Sequence, residues 1–271
     1  MEIVYRLREL WQYRELIRNL VVRDLKVRYK NSILGVVWSL LSPLLMMVVY
    51  TVFFTIFLRH DDIPYYPVFL LCGLLPWSFF VDSIMQATDS IVGNAHLIKK
   101  VYFPREILPI STVLSNLVSF LIALPVFFLL ALVSGAPLSW WALLMPITLL
   151  IQLVFTLGLA FILATLNVFY RDTRHLLGVA VQAWFFLTPV FYSIHIVPQE
   201  RHILGIPFNP QLWLRRLNPM ASIVASYRNL LYHGEPTGLD FLLRTAVTVL
   251  IVLIVGYWVF SRYSSRFGEE V

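Results

Sequence analysis

The chain has 271 residues, of which 59% are hydrophobic and only 13% are charged, and its mean hydropathy is +0.77. Soluble globular domains carry about 25% charged residues, so this composition excludes an ordinary soluble domain and indicates an integral membrane protein. The net charge of +6 does not indicate a nucleic-acid partner, because eight of the 21 Lys and Arg residues precede Asn31. There, beside the first long apolar stretch, they suit anionic lipid headgroups.

Residues 1–33 predict a cytosolic interface helix. Between Tyr5 and Tyr29, apolar side chains recur every three or four residues and basic side chains occupy the other face, which is the pattern of an amphipathic helix at a membrane surface. Charges are too frequent here for the apolar core of a signal peptide. The polar face of the helix offers, in addition, a docking surface for a cytosolic partner, and the two roles are compatible.

Six apolar stretches follow, and each is predicted to cross the membrane as a helix. The first has 24 uncharged residues, about 36 Å of helix, which exceeds the roughly 30 Å of a hydrocarbon core. A transmembrane barrel would instead give short alternating segments. We therefore predict an all-α integral membrane protein of one domain, with the interface helix 1–33, a six-span region 34–262 and a cytosolic tail 263–271. The predicted spans are Gly35–Leu58, Pro67–Ile91, Ile107–Val133, a helix within Ser139–Tyr170, Leu176–Ile194 and Phe241–Phe260.

The distribution of basic residues sets the expected orientation. If the N-terminus is cytosolic, fifteen of the 21 Lys and Arg residues fall in cytosolic segments, as the positive-inside rule favours. Both termini are then expected in the cytosol, together with the loops 92–106 and 169–175.

The segment 195–240, between the fifth and sixth predicted spans, is apolar yet interrupted by prolines. Within it, Asn218 and Pro219 form an N-cap followed by proline at the first helical position, and Gly234 ends the helix that they begin. A helix of about 15 residues is too short to span a membrane. We predict a short re-entrant or interfacial helix on the outer side, with Arg228 facing water or sugar hydroxyls.

Motifs for catalysis or cofactor binding are missing from the sequence. Because it has no Walker A phosphate loop, we expect no cofactor on this chain and expect ATP and Mg²⁺ to bind a separate subunit. Neither the histidine spacing nor the single cysteine, Cys72, indicates a metal site. A membrane glycosyltransferase or acyltransferase would need a nucleophile or an acid–base cluster, so this enzyme class is disfavoured.

The loop 93–106 predicts a short cytosolic helix that Asn94 caps and Pro104 ends. Its basic side chains indicate either a docked partner or a solvated basic loop, and the residue types alone do not separate these. The basic residues are Lys99, Lys100 and Arg105.

Two carboxylates, those of Asp82 and Asp89, are seven residues apart and therefore share one face of the second predicted span. A charged side chain at the bilayer centre costs about 2.5–3.5 kcal/mol on insertion scales. The pair marks either a proton relay or a position near the cytosolic end, where water reaches. We favour the second reading, since a secondary transporter needs charges at mid-depth.

Aromatic residues make up 15% of the chain and form stripes on three predicted spans. Such stripes usually pack helices together or form interfacial belts. The alternative is a conduit for a sugar chain, because aromatic rings offer apolar faces to the C–H faces of sugars. The candidate conduit residues are Tyr50, Phe54 and Phe57 of span one, Trp77 and Phe80 of span two, and Phe185 and Tyr192 of span five.

Several short segments, taken in their order and spacing, resemble the membrane subunit of polysaccharide-exporting ABC transporters, a branch of the type-2 ABC permeases. The likeness is greatest to O-antigen exporters, with capsule and teichoic-acid exporters as near relatives, and it extends from the first span almost to the last. The segments are Arg23–Trp38, Pro43, Leu74–Phe79, Lys99–Glu106, Asn167–Asp172, Thr188–Tyr192 and Asn218–Met220.

The resemblance implies a homodimer around a central conduit, in which the two chains rest on two copies of an ABC ATPase subunit. It also implies that 94–105 is a coupling helix, that the loop after the fourth span is a second ATPase contact, and that the broken segment before span six is an outer gate. The implied coupling residues are His96, Lys99, Lys100, Tyr102, Phe103, Arg105, Tyr170, Arg171 and Asp172. The implied gate residues are Asn218, Pro219, Met220, Tyr227 and Arg228.

The predicted function is that of the permease subunit of an exporter that moves a lipid-linked, O-antigen-like polysaccharide across the cytoplasmic (inner) membrane. Teichoic-acid, capsule and other lipid or drug exporters are the alternatives within the superfamily, because these permeases share one scaffold. The expected partners of the chain are a second copy of itself, the ATPase subunit, the glycan and membrane lipids.

Overall fold

The computed structural model describes residues 11–30, 37–57, 63–198, 201–203 and 206–271. The predicted start of the interface helix at Tyr5 and the predicted end of the first span at Leu58 lie outside these ranges. Within them the chain consists of helices joined by turns and loops, together with a hairpin of two antiparallel strands of three residues each.

The elements are numbered in chain order. The first half contains α1 (Arg14–Tyr29), α2 (Val37–Thr51) with a π-helical extension (Val52–Phe57), α3 (Tyr66–Asp89), α4 (Ala95–Lys100) and α5 (Ile107–Val133). The second half contains a 3-10 turn (Trp140–Leu144), α6 (Met145–Phe169), α7 (Thr173–Phe186), β1 (Arg201–Ile203), β2 (Ile206–Phe208), α8 (Pro210–Leu217), α9 (Pro219–Arg228) with a π-helical extension (Asn229–His233), α10 (Leu239–Ser264) and α11 (Phe267–Glu270).

Four of the described helices are long and apolar enough to cross a membrane: α3, α5, α6 together with its preceding turn, and α10. They correspond to the second, third, fourth and sixth predicted spans, and the bounds of α5 match its prediction at both ends. The helix of the first predicted span is apolar from Leu41 to Phe57, a shorter length. The chain is therefore a multi-pass integral membrane protein.

The fifth predicted span, Leu176–Ile194, is shorter in the structure. Helix α7 has 14 residues and ends at Phe186, so it is about 21 Å long. Pro189 accounts for the early end, because proline cannot continue a helix and also disfavours the helical conformation at Thr188. The hairpin β1–β2 is a second difference, since the sequence predicted helices alone between the last two spans.

Helix α3 lies at the centre of the bundle. Its side chains are buried along most of its length against α2, α5, α6, α7 and α9, and Leu70, Phe80 and Ile84 are fully buried. A polar contact adds to this packing, since Gln152 Nε2 of α6 donates to the carbonyl oxygen of Pro76 at 2.7 Å. Helix α3 therefore contacts five other helices of the described part of the bundle.

Helices α6 and α10 pack backbone against backbone where Gly158 faces Gly256. A Cβ atom at Gly158 would lie 2.8 Å from the Cα atom of Leu253, and one at Gly256 would overlap the carbonyl oxygen of Gly158. Small residues at membrane helix interfaces permit this close approach, and the association then rests on van der Waals contact.

We predict that Gly256→Ala destabilises the protein by about 1–3 kcal/mol, because the added methyl group meets fixed backbone rather than a movable side chain. Gly178→Ala is the matched control, since Gly178 lies inside helix α7 with open space around it and alanine favours helices over glycine. Thermal unfolding in detergent compares the two variants. Equal melting temperatures for the two would contradict the close-packing argument.

Candidate functional site

A cluster of buried apolar side chains holds the predicted coupling segment against the neighbouring helices. Phe103, at the end of that segment, packs with Leu20 of α1, Phe161 of α6, Phe260 of α10 and Phe267 of α11. Interface helix, coupling segment and tail thus share one small core. The predicted coupling segment is therefore anchored to the long helices through these side chains.

Polar contacts join the interface helix to the start of the coupling segment. Arg23 Nη1 donates to Asn94 Oδ1 at 3.0 Å, and Asn94 Nδ2 donates to the carbonyl oxygen of Ser90 at 2.8 Å. Asn94 holds the position before α4, but its side chain makes no capping bond, so the predicted cap is wrong. Helix α4 also ends at Lys100 rather than at Pro104.

The predicted coupling residues divide into exposed and anchoring groups. The side chain of Tyr102 is 93% exposed, the largest exposure among the large hydrophobic side chains that the structure describes, whereas Phe103 is buried. Arg105 is partly buried, and its Nη1 atom is buried without a hydrogen-bond partner among the described residues. Also exposed are His96, Lys99, Lys100, Tyr170, Arg171 and Asp172. The exposed group forms a surface on which a partner could rest.

An ion pair that the sequence did not reveal connects the two predicted coupling loops. Arg174, at the start of α7, pairs with Asp89, at the end of α3. Asn167 Nδ2 of α6 donates to the carbonyl oxygen of Thr88 at 3.0 Å and to Asp89 Oδ1 at 3.3 Å. Asp89 is thus a structural link at this end of α3, whereas the sequence predicted only its position near the end of the span.

The predicted conduit residues fall into two groups. The half-buried rings of Tyr50, Phe54 and Phe185 meet around Phe191, with Tyr50 and Phe191 stacked at 5.8 Å between ring centroids. Phe57 lies outside this group, with a side chain that is 74% exposed. Phe191 was not among the predicted conduit residues, although it lies in the segment Thr188–Tyr192, which contributes to the family resemblance.

Trp77 and Phe80, by contrast, are packing residues within this chain. Phe80 is fully buried and stacks on Phe155 at 5.5 Å, and Trp77 lies 5.6 Å from Phe185 between ring centroids. Tyr192 is half-buried, and its hydroxyl group donates to the carbonyl oxygen of Phe186 at 2.9 Å.

At the opposite end of the bundle, Asn218 joins the segment 195–240, called here the outer segment, to the end of α7. Its Oδ1 atom accepts from the backbone N–H of Ala221 at 3.3 Å, which is the predicted cap, and from Trp184 Nε1 at 2.9 Å. Its Nδ2 atom donates to the carbonyl oxygen of Leu187 at 3.0 Å and to Thr188 Oγ1 at 2.9 Å. The side chain caps one helix and holds the end of another.

Arg228 lies in the interior of the chain, and the prediction that it faces water is wrong for this chain. Its side chain donates from Nη1 to the carbonyl oxygen of Pro189 at 2.5 Å and from Nη2 to that of Val190 at 2.5 Å. The guanidinium carbon lies 3.6 Å from the centroid of the Phe69 ring. Gly73 makes room for this arrangement, because a Cβ atom there would lie 2.8 Å from the Val190 carbonyl oxygen.

The other predicted gate residues form the packed face of α9. Met220 and Tyr227 are buried against the core of the bundle, and Pro219 is partly buried. His233 follows in the π-helical extension, and partial burial lowers the pKa of its imidazole below the usual value. It therefore adds no positive charge to the outer segment at neutral pH.

Comparison with known proteins identifies the family. A family model described as ABC-2 type transporter matches residues 15–232. The chain is 36% identical over 264 residues to the O-antigen export system permease protein RfbA of Myxococcus xanthus, which covers 97% of this chain and 98% of the relative. It is 35% identical over 250 residues to RfbA of Klebsiella pneumoniae, which covers 91% of each chain. The Polysialic acid transport protein KpsM of Escherichia coli is 24% identical over 251 residues, which cover 88% of this chain and 89% of the relative. Because the family match covers most of its length, the chain belongs to the ABC-2 type transporter family and is a transport permease rather than an enzyme.

Proposed function

We propose that this chain is the permease subunit of an ATP-driven exporter that moves a lipid-linked, O-antigen-like polysaccharide across the cytoplasmic membrane. The observation that carries the proposal is the 36% identity, over 97% of this chain, to a permease named for O-antigen export. The likeness to a polysialic acid transport protein supports polysaccharide as the substrate class. A teichoic-acid, capsule or other lipid exporter is the alternative within the family.

In this proposal two chains form a homodimer around a central conduit, and all six apolar segments cross the membrane. The exposed apolar side chains of α2, of its π-helical extension and of α7, such as Val49, Phe57 and Val179, support this arrangement, since they need cover from lipid, from the second chain or from substrate. Both termini then face the cytosol, in line with the basic residues of α1 and of the coupling segment.

The energy comes from a separate ABC ATPase, which binds ATP and Mg²⁺. Two copies of this subunit rest on the exposed residues of α4 and of the loop before α7. Basic and aromatic side chains on a projecting segment suit a cleft in a partner, and Phe103 passes its movement to the spans.

The outer segment serves as the gate of the conduit. Asn218 and Arg228 hold α9 against the broken end of α7, and their bonds close the outer mouth when no polymer is present. Opening requires these bonds to exchange for contacts with water or with sugar hydroxyls. The gate is therefore a set of hydrogen bonds among apolar side chains. Such hydrogen bonds are strong when they are formed, and leaving their donors and acceptors unpaired is costly.

The proposed function is tested with the permease and its ATPase co-purified and reconstituted in lipid nanodiscs. We expect lipid-linked glycan extracted from the producing cells to raise ATP turnover several-fold, whereas the carrier lipid without its glycan has a smaller effect. The permease alone, without the ATPase, is expected to hydrolyse no ATP. The proposal would be refuted if no lipid-linked glycan changes the ATP turnover of the complex, or if the permease alone shows robust ATP turnover.

The coupling surface is tested with the double variant Lys99→Glu and Lys100→Glu. Both side chains are exposed, so charge reversal leaves the fold intact and weakens ATPase docking through like-charge repulsion. We expect the yield of ATPase in pull-down of the permease to fall about tenfold. The matched control is Arg216→Glu with Arg244→Glu, an equal charge change at the outer end. Since charge reversal also weakens the positive-inside signal, topology is mapped in both variants. Normal docking by the first double variant would contradict the assignment.

The gate is tested with Asn218→Ala, which removes the cap of α9 and its bonds to α7. Asn209→Ala is the control, because Asn209 caps α8 through a 2.8 Å bond to the backbone N–H of Leu212. Each loses about 1 kcal/mol of capping free energy. In vesicles without ATP, we expect small solutes to leak severalfold faster through Asn218→Ala than through the control. Equal leak rates would place the gate elsewhere.

A further inference from the structure

A polar groove lies in the half of the bundle nearer the coupling segment, and neither the coupling surface nor the gate includes it. Its volume is about 470 Å³, within the usual range for ligand sites, and it lies between the end of α1, the start of α2, and helices α3 and α5. One stripe of side chains from α3 and one from α5 form its walls. The residues used below are Arg28, Trp38, Asp82, Gln86, Asn116 and Ser119.

A hydrogen-bond network occupies one side of this groove. Arg28 Nη2 donates to Gln86 Oε1 at 2.5 Å, and Arg28 Nη1 donates to Ser119 Oγ at 3.3 Å. The carboxamides of Gln86 and Asn116 exchange two long contacts, both of 3.4 Å. The network joins three helices and positions two carboxamides at the groove, where each retains capacity for a further hydrogen bond.

Asp82 lies one turn before Gln86 on the same face of α3, and its side chain is exposed to the groove. Among the residues that the structure describes, its carboxylate accepts no hydrogen bond and forms no ion pair. The charge of Arg28 attracts this carboxylate, but a carboxylate whose oxygen atoms are free within a membrane span is costly and usually functional. It therefore indicates a ligand that donates hydrogen bonds.

We infer that this groove is a subsite for an uncharged sugar unit of the exported glycan, an inference that rests on the proposed function. Hydroxyl groups of a sugar donate to the Asp82 carboxylate and to the Asn116 carbonyl oxygen, and they accept from the remaining N–H of Gln86. Both N–H groups of Asn116 are already bonded, to Gln86 and to the carbonyl oxygen of Thr112. The half-exposed ring of Trp38 supplies an apolar face for the C–H groups of the sugar. Arg28 and Asp82 carry opposite charges, so the groove has no net charge, and a phosphate group would face the carboxylate.

The position of the groove suits this role. Asp82 is two turns of α3, about 10 Å, from Asp89, whose ion pair with Arg174 lies beside the coupling loops. The aromatic group around Phe191 lies farther along, beyond Trp77. A glycan that enters from the side of the coupling segment therefore meets the groove before it meets the aromatic residues.

The test uses Asp82→Asn in the complex of permease and ATPase in nanodiscs. ATP turnover is measured against the concentration of two probes: the lipid-linked glycan of the producing cells, and the soluble glycan released from it by mild acid. We expect the half-saturating concentration of both probes to rise about tenfold, as for loss of one hydrogen bond to a charged group. Asn116→Ala should shift both in the same direction. Asp240→Asn, an exposed carboxylate at the start of α10, is the control.

The outcomes separate the subsite from the proposed function. If the wild-type complex responds to lipid-linked glycan but both groove variants keep the wild-type half-saturating concentration, the subsite is refuted and the proposed function stands. If the variants instead change the response to the carrier lipid without glycan, the groove binds a lipid headgroup and the inference is also refuted. A wild-type complex that ignores all glycan probes refutes both proposals.

Discussion

The early end of α7 imposes the constraint on which the outer half of the molecule depends. Where a helix stops inside an apolar region, its last carbonyl groups have no water to accept from, and each needs a donor from the protein. Asn218 supplies one donor to Leu187, and Arg228 supplies donors to Pro189 and Val190. The outer segment returns to the bundle at this point because it carries the donors that the broken helix needs.

Arg228 makes this joint unusual, because its buried charge is compensated by carbonyl dipoles and an aromatic face. No carboxylate pairs with it among the described residues. A buried charge is costly unless it is hydrogen-bonded, so the guanidinium and the carbonyl groups need each other. Gly73 contributes by leaving space for Val190 against α3. Breaking any one of these bonds therefore leaves a buried polar group unpaired, so the bonds of the joint support one another.

The long helices were predictable from the sequence because their signal is local. Long apolar runs with few charges indicated α3, α5, α6 and α10, and the Asn218-Pro219 pair indicated the start of α9. For Phe80 and Trp77 the sequence left packing and a conduit as alternatives, because periodicity shows which residues share a face but not what that face contacts. The partners of Arg228 were not predictable, since Pro189 and Val190 lie 39 and 38 residues away in sequence. Pro189 was a local sequence signal for the early end of α7, but the apolar run continues past it, so the predicted span extended to Ile194.

Helix α3 is the element through which the two ends of the chain can communicate. Its last residue, Asp89, binds Asn167 and Arg174 beside the coupling loops, whereas Phe69 and Gly73, near its start, contact Arg228 and Val190 in the outer joint. Because its side chains are buried along most of its length, α3 links the packing of the two ends, and Pro76 inside the helix is the point at which it can bend. In the proposed function, a shift imposed at Asp89 is passed along this packing to the joint of α7 and α9, where hydrogen bonds replace apolar contacts. The proposed movement of the coupling segment and the proposed opening of the outer mouth are then two ends of one displacement.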